Sequence, residues 1–291
     1  MEAYGAHRAL FIIGYSIIIL ALVAAGIGLF YDDGGEPYTT LNHLGEEVEI
    51  YGKGLYANDS ILIGAANQGT DAIVLLVGIP LLVFSLYLIA KDERRGSVLM
   101  AGALTYFLYV YATFSLSIAF NRLFIVYVAL FALSLYGLMI CVFRIKEMND
   151  ASPLVKTNGK GWIGYLMIIL GSFTGLAWGV EPLMALLTGD LPNLTIYPTL
   201  FTHAFDMAII VPISVISGIW ILRGKDEGYL VAVPVIMLLV MVALSIISMT
   251  VSQYSVGLQF SVQELMVFVV SFIIFGLVGV KALKNIFSML E

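Results

Sequence analysis

Two ionisable residues stand three positions apart at the start of an apolar stretch, "FTHAFDMAIIVP", which covers residues 201–212. They are His203 and Asp206, and residues at this spacing lie on the same face of a helix. A carboxylate near an imidazole can bind a cation, hold the ring in one tautomer or exchange protons as an acid–base pair. Because an ionisable group inside a membrane-spanning segment is costly, we interpret the pair as a candidate ligand-binding site.

Four further polar residues are expected at the same depth as this pair, near the ends of predicted helices. They are Glu181, Glu264, Asn121 and Arg122. Together with His203 and Asp206 they predict an outward-open, acid-lined pocket that is closed below by apolar helices. A zinc site built from His43, His203 and acids is the less favoured alternative, because it depends on unknown loop geometry, and we predict no metal.

Aromatic residues are expected near the floor of this pocket. Tyr106 and Tyr109 share one helix face, whereas Tyr111 points elsewhere. The alternative is that these tyrosines are core or interface residues whose hydroxyls have found partners.

The composition predicts the class of protein. Of 291 residues, 60% are hydrophobic and only 12% are charged, whereas soluble domains average about 45–50% apolar and about 25% charged residues. The lipid bilayer is therefore the expected environment. The net charge of −6 argues against a nucleic-acid partner, and the single cysteine, Cys141, excludes a disulfide framework.

Apolar runs long enough to cross about 30 Å of hydrocarbon predict an all-α, polytopic membrane protein with eight helices. The predicted spans are 9–31, 70–90, 97–120, 123–144, 162–188, 200–222, 229–252 and 261–283. The fifth span contains Gly171, Gly175 and Gly179, and this spacing favours close helix packing. We expect that this glycine-rich span could also provide a contact between copies of the chain.

The distribution of basic residues predicts the orientation. Twelve of the 14 Lys and Arg residues lie on the side that contains both termini. These are Arg8, Lys91, Arg94, Arg95, Arg144, Lys146, Lys156, Lys160, Arg223, Lys225, Lys281 and Lys284. Only Lys53 and Arg122 fall on the other side. Since basic residues are retained in the cytoplasm, both termini are predicted to be cytoplasmic.

One outer connection, residues 32–69, is much longer than the others. Long loops in compact domains are usually functional or disordered. This loop contains Ile50, Tyr51, Leu55 and Tyr56, so we predict that it folds over the helices and covers the pocket. The alternative is a solvated acidic loop.

The chain shows an internal repetition. Gln68-x-x-Asp71 starts the second predicted span, and His203-x-x-Asp206 starts the sixth at an offset of 135 residues. Each of these spans contains a proline and is followed by Lys-Asp-Glu, at 91–93 and 225–227. The repetition predicts two parallel four-helix units in tandem.

The predicted units are residues 1–150, which include the outer loop, and residues 151–291. Gln68 and Asp71 are therefore also candidate ligand-binding residues. Because Asp71 falls at the predicted start of its helix, the competing interpretation is that it only caps that helix.

Three segments carry a resemblance to a known family: "GTDAIVLLVGIPLLVFSLYLIAKDERRGS", "GALTYFLYVYATFSLSIAFNRLFIVYVALFALSLYGLM" and "THAFDMAIIVPISVISGIWIL". In these segments, about half of the chain, the sequence resembles an uncharacterised family of multi-pass prokaryotic membrane proteins. The resemblance implies the topology and a prokaryotic plasma membrane, with no activity attached. The two-times-four arrangement is also similar to that of haem A synthase, whose paired histidines this sequence lacks.

No phosphate-binding loop, dinucleotide fingerprint, HExxH or GxSxG is present, so no cofactor is indicated. Three function classes remain. The leading hypothesis is a transporter or permease for a small solute or cation. The first alternative is an enzyme that acts on a lipid or quinone at the outer leaflet. The second is a receptor or membrane anchor whose outer loop is the contact surface.

Overall fold

The computed structural model describes residues 2–151 and 161–290, and in this part of the chain eight helices are long and apolar enough to cross a membrane. The helices are α1 (Glu2–Phe30), α2 (Ile61–Ala90), α3 (Arg94–Leu116), α4 (Phe124–Ala151), α5 (Trp162–Thr188), α6 (Phe201–Leu222), α7 (Glu227–Ser255) and α8 (Val262–Phe287). A single hairpin of two short strands, β1 (Tyr38–Leu41) and β2 (Glu47–Ile50), lies between α1 and α2. The predicted all-α polytopic fold is confirmed.

The helices are long because a membrane must be crossed. At about 1.5 Å per residue, some 20 residues span the hydrocarbon layer, and each helix exceeds that length. Their outward faces carry large apolar side chains, such as Ile12 of α1, Phe143 of α4 and Leu277 of α8, which are all more than half exposed. These faces are suited to lipid, and α3 and α7 are the most buried helices of the bundle.

The second helix begins earlier than the sequence indicated. It starts at Ile61, where the Ser60 hydroxyl caps it by accepting the Ile63 backbone N–H at 3.4 Å. The prediction of a start near residue 70 is wrong, because the small and polar residues of "GAANQGT" looked like a loop. They form a helix because this segment packs closely against α7, where Gly69 lies against the backbone of Met249.

The connection between α1 and α2 folds onto the bundle, as predicted. Ile50, Tyr51, Leu55 and Tyr56 are all buried, whereas the β1–β2 hairpin that precedes them is largely exposed. Because α2 starts early, this loop covers residues 31–60 and not 32–69. We call the end of the bundle that carries it the loop end.

Helices α2 and α6 share an irregularity. Each contains a π-helical turn, Val74–Gly78 in α2 and Asp206–Ile210 in α6, followed by a proline, Pro80 or Pro212. A proline lacks the N–H and crowds the carbonyl four residues earlier, so a wider turn relieves both problems. A third π-helical turn, Leu265–Val270 in α8, has no associated proline.

The two halves of the chain meet asymmetrically. Helix α7 packs along the first half of α2 and also along α3. If the two halves were equivalent, α3 would pack along α6 as α7 packs along α2. Instead, α3 contacts α6 mainly at the start of α6, where Tyr109 of α3 and Phe205 of α6 make an edge contact. We call each of these helix–helix interfaces a seam: the α2–α7 seam is closed, whereas the α3–α6 seam is open.

The glycines of α5 face a neighbour within the same chain. A side chain at Gly171 would meet Val211, Ser214 and Val215 of α6, and one at Gly175 would also meet Val211. Further from the loop end, Gly164 of α5 and Gly218 of α6 bring the backbones of these two helices together. The close packing that the glycine spacing predicts is therefore made between α5 and α6.

Basic residues gather at the end opposite the loop end. The Arg95 guanidinium donates to the Leu290 carbonyl at 3.1 Å, and Arg144 lies 3.9 Å from Asp92. Lys91 sits over the Tyr87 ring. Lys156 and Lys160, which belong to the same predicted set, lie outside the described residues.

Candidate functional site

A cavity of about 620 Å³ lies inside the bundle, between α2, α3, α5, α6, α7 and α8, near the loop end. Its volume is in the range of small-molecule sites, about 300–1,000 Å³. Its deeper wall is apolar. That wall includes Leu170, Ile210, Val235, Leu238, Val242 and Phe272.

The cover of the cavity is the connection between α5 and α6, residues 189–200. Asn193, Thr195 and Tyr197 of this connection line the cavity, whereas none of the lining residues in the described structure comes from the loop 31–60. The prediction that the long loop covers the pocket is therefore wrong. The loop instead packs beside α1 and the start of α2 and holds the cover from the side.

Two hydrogen bonds attach the cover to the long loop. The Asn42 amide donates to the Thr195 carbonyl at 2.7 Å, and the Tyr197 hydroxyl donates to Asp59 Oδ1 at 2.8 Å. Asp59 is buried, and it also accepts the Ala119 backbone N–H at 2.8 Å. Burial raises the pKa of Asp59 to about 6, although these two donors act in the opposite direction.

Asp206 forms part of the cavity wall at the first position of the π-helical turn of α6, and its side chain is only 7% exposed. Its Oδ2 accepts the Trp178 indole N–H at 2.8 Å and the Tyr109 hydroxyl at 3.4 Å. Its Oδ1 is buried and has no hydrogen-bond partner in the described structure. One carboxylate oxygen is thus fixed by α3 and α5, and the other is free.

His203 lies beside Asp206 on the cavity wall and is paired with Glu181 of α5. Its Nε2 is 3.3 Å from Glu181 Oε2, and its ring centroid is 4.4 Å from that of Trp178. The other ring nitrogen, Nδ1, is buried and has no partner among the described residues. Glu181 Oε1 accepts the Asn193 backbone N–H at 3.1 Å, which ties the pair to the cover.

Polar side chains of α2, α3 and α7 complete the polar part of the cavity wall. The Tyr106 and Ser245 hydroxyls hydrogen-bond at 3.0 Å across α3 and α7. Asn67 of α2 also lines the cavity, and its buried amide nitrogen has no partner in the part of the chain that is described. As the spacing predicts, Tyr106 and Tyr109 face this cavity, whereas Tyr111 packs against Phe107, Phe114 and Tyr127 on the other side of α3.

Asp71 occupies a separate, closed site. It lies ten residues inside α2 and is 1% exposed, so the interpretation that it caps the helix is wrong. Its Oδ2 accepts the Tyr56 hydroxyl at 2.5 Å, and Gly28 leaves space for the pair. Burial and the Asp71 charge both raise the pKa of Tyr56 well above its ordinary value.

Gln68 also points away from the cavity. Its Oε1 accepts the Tyr51 hydroxyl at 2.7 Å, and its amide donates to the Gly28 carbonyl at 3.4 Å. Gln68 and Asp71 thus attach the long loop to α2, and neither residue lines the cavity.

The remaining predicted site residues lie at or beyond the rim. Glu264 is exposed and closes a capping box with Ser261 at the start of α8, so it reaches the cavity only at its edge. Asn121 and Arg122 lie in the turn between α3 and α4 and do not line the cavity. Asn121 Oδ1 accepts the Leu123 backbone N–H, as expected of a residue that shapes a turn.

Trp178 was not identified by sequence reasoning, although it contacts both central residues. A signal existed, because Trp178 and Glu181 stand three positions apart on α5 and therefore share a face. Asp59 and Tyr197, which hold the cover, were also missed. No local spacing connects them, since 138 positions separate them.

The charges on the cavity wall are acidic. Asp206, Glu181 and Glu264 line it, and no Lys or Arg does so among the described residues. No group of three or more His, Cys, Asp or Glu residues that could hold a metal occurs in residues 2–151 and 161–290. No family model, curated protein or solved structure matches this chain at a significant level.

Proposed function

We propose that this membrane protein is a transporter or permease for a small solute or cation, with its cavity facing the outside of a prokaryotic cell. The observation that supports it most strongly is that Asp206 lines a cavity large enough for a small molecule while its buried Oδ1 has no hydrogen-bond partner among the described residues. A buried carboxylate oxygen without a donor is costly, and a ligand that supplies one removes that cost.

The orientation is part of the proposal. The excess of basic residues on one side supports cytoplasmic termini, which places the loop end and the cavity outside. Both predicted units would then have the same orientation in the membrane. The π-helical turns and prolines shared by α2 and α6 support this duplication.

The difference between the closed α2–α7 seam and the open α3–α6 seam supports a route for transport through the cavity. The α2–α7 seam is closed and the α3–α6 seam is open at the cavity. We infer that α6 moves towards α3 around its π-helical turn, because sharp kinks in helices commonly occur at such turns. The cavity would then close at the loop end and open on the other side.

The proposal is tested with purified protein in proteoliposomes, by measuring the uptake of each member of a panel of small radiolabelled cationic and neutral solutes. We expect at least one solute to give a saturable response that Asp206→Asn abolishes. Asp190→Asn, a change of an exposed acid that does not line the cavity, should leave the response unchanged. Equal responses from wild type and Asp206→Asn for every solute would overturn the proposal.

A second candidate function rests on the Glu181–His203 pair. A histidine held by a carboxylate through one nitrogen, with the other nitrogen free, is the arrangement of a general base. This geometry favours an enzyme that acts on a lipid or quinone. Incubation with a bacterial lipid extract, followed by mass spectrometry, tests it: a product that forms with wild type and not with His203→Gln would support the enzyme over the transporter.

A further inference from the structure

We propose that the ligand of the cavity is an amphiphilic amine, with its ammonium group at Asp206 and its apolar part between α7 and α8. The inference rests on the proposed function only in taking the cavity as the binding site, and it adds the chemical class of the ligand.

The charges on the cavity wall favour a cationic ligand. Three acids line the cavity, Asp206 and Glu181 on its wall and Glu264 at its edge, and the only basic group among the described lining residues is His203. His203 already faces Glu181 at 3.3 Å. The charge of Asp206 is thus left without a cationic partner among the lining residues. An anionic ligand would be repelled, whereas a cation would compensate the buried charge.

The hydrogen bonds of the Asp206 carboxylate also favour an amine. Asp206 Oδ2 already accepts from Trp178 and Tyr109, which fixes the orientation of the carboxylate, whereas the buried Oδ1 has no donor among the described residues. An ammonium group with N–H bonds can donate to Oδ1 and form a charge-assisted hydrogen bond. A metal ion is disfavoured, because such ions take several oxygen ligands and the wall offers few carboxylates at this point.

Aromatic rings around the Asp206 carboxylate also favour an amine. Trp178 contacts the His203 ring at 4.4 Å and the Phe268 ring at 5.7 Å between centroids, and both Trp178 and Phe268 line the cavity. Faces of aromatic rings attract organic cations, Trp most strongly. A carboxylate with adjacent aromatic rings therefore favours an amine over a strongly hydrated inorganic cation.

The rest of the cavity selects for an apolar tail. Beyond Asp206 the wall is built of aliphatic and aromatic side chains from α5, α7 and α8, such as Leu170, Leu238 and Phe272. A small, fully hydrated amine would leave this apolar space filled with water. An aliphatic or aryl group attached to the amine displaces that water and gains the hydrophobic contribution.

The test uses three probes that each carry a phenyl group at the end of a four-carbon chain: 4-phenylbutylamine, 4-phenylbutanol and 4-phenylbutyrate. Binding to the full-length protein in lipid nanodiscs is measured by calorimetry, with empty nanodiscs as the blank for partitioning into lipid. We expect the amine to bind at least about tenfold more tightly than the alcohol, since both can donate a hydrogen bond to Asp206 but only the ammonium group also carries the opposite charge. The butyrate should not bind.

Two variants locate the site. Asp206→Asn should remove the preference for the amine over the alcohol. Glu47→Gln, in the exposed hairpin, is the matched control and should behave as wild type. The melting temperature of Asp206→Asn is measured in parallel, so that a folding defect is recognised from loss of binding of the alcohol as well.

Each outcome has one meaning. Preference for the amine that Asp206→Asn removes supports the inference, even if the proteoliposome experiment shows no transport. Equal binding of amine and alcohol, preference for the butyrate, or an amine preference that survives Asp206→Asn would overturn the amine assignment. Binding of the alcohol alone would overturn it and still leave the cavity as a site for a neutral ligand of a transporter.

Discussion

Asp71 of α2 and Asp206 of α6 stand before or at a π-helical turn that a proline follows, but their carboxylates face different surroundings. Asp71 accepts the Tyr56 hydroxyl in a closed site, whereas Asp206 lines the cavity and its buried Oδ1 has no hydrogen-bond partner among the described residues. The long loop accounts for the difference, because it supplies Tyr56 to α2 and has no counterpart of similar length before α6. One acid therefore anchors the loop, and the other is the acid that we propose as the partner of a ligand.

The closed site around Asp71 depends on Gly28. A methyl group at this position would collide with the Asp71 carboxylate and the Tyr56 hydroxyl. Gly28→Ala should therefore lower stability by roughly 1–3 kcal/mol, the usual cost of overpacking. Gly26→Ala, two positions away on α1 where a methyl group meets no atom within 4 Å, is the control. Thermal melting in detergent measures both, and similar melting temperatures would show that the site is not tightly closed.

Trp178 is predicted to stabilise the protein through Asp206. Trp178→Phe removes the indole N–H that donates to Asp206 Oδ2 and should cost about 1.5–3 kcal/mol, as for a hydrogen bond to a charged group. The same change should cost clearly less in an Asp206→Asn background, because the charge is already gone. Trp220→Phe, in a residue that does not line the cavity, should have equal effects in both backgrounds. Additive effects for Trp178→Phe would contradict the predicted coupling.

Asp59 makes stability depend on pH. Its pKa in the folded protein, about 6, is above its ordinary value of 3.8, so the folded state holds the proton more tightly. The contribution of Asp59 to stability is therefore greatest below about pH 4 and falls as the pH rises through 6, by on the order of 3 kcal/mol in total. Asp59→Asn should remove this part of the pH dependence. The measurement is the difference in melting temperature between variant and wild type from pH 4 to pH 8.

Asp33→Asn provides a control of opposite sign for that measurement. The backbone N–H groups of Gly54 and Gly35 lower the pKa of this exposed carboxyl, so its contribution is lost on acidification. If Asp59→Asn lost stability relative to wild type as the pH rose, the buried-carboxylate account of the cover would be contradicted.

Orientation is testable with single cysteines in a Cys141→Ser background. Because basic residues favour the cytoplasm, Lys225→Cys should react with a membrane-impermeant maleimide only after the cells are opened. Asp190→Cys, in the cover, should react in intact cells. Reaction of Lys225→Cys from outside would reverse the proposed orientation.

The sequence was sufficient for the helices because the signal is continuous. Each span is a long apolar run, and composition alone excludes a soluble domain of this size. The start of α2 was misplaced because its first turns face protein and not lipid, so small and polar residues are tolerated there. Asn67, Gln68 and Asp71 look like loop residues for the same reason.

The candidate site was only partly predictable. His203 and Asp206 could be found because ionisable residues are rare in spans and their spacing is local. Glu181 and Tyr109 were also expected at this pocket, whereas the contact with Trp178 of α5 was missed because a sequence does not show which helices are neighbours. The cover was missed because it depends on pairs such as Asp59 and Tyr197, which only the folded chain brings together.

The central claim, that the cavity serves transport, is tested most directly by asking from which side its floor can be reached. Ser245→Cys, in the Cys141→Ser background, places a thiol at the Tyr106 contact on the cavity wall. Ser217→Cys, at a buried position of α6 that does not line the cavity, is the control and should not react. A charged, impermeant thiol reagent is applied to right-side-out and to inside-out membrane vesicles. The account predicts reaction of Ser245→Cys in both preparations; reaction from the outside alone would contradict it.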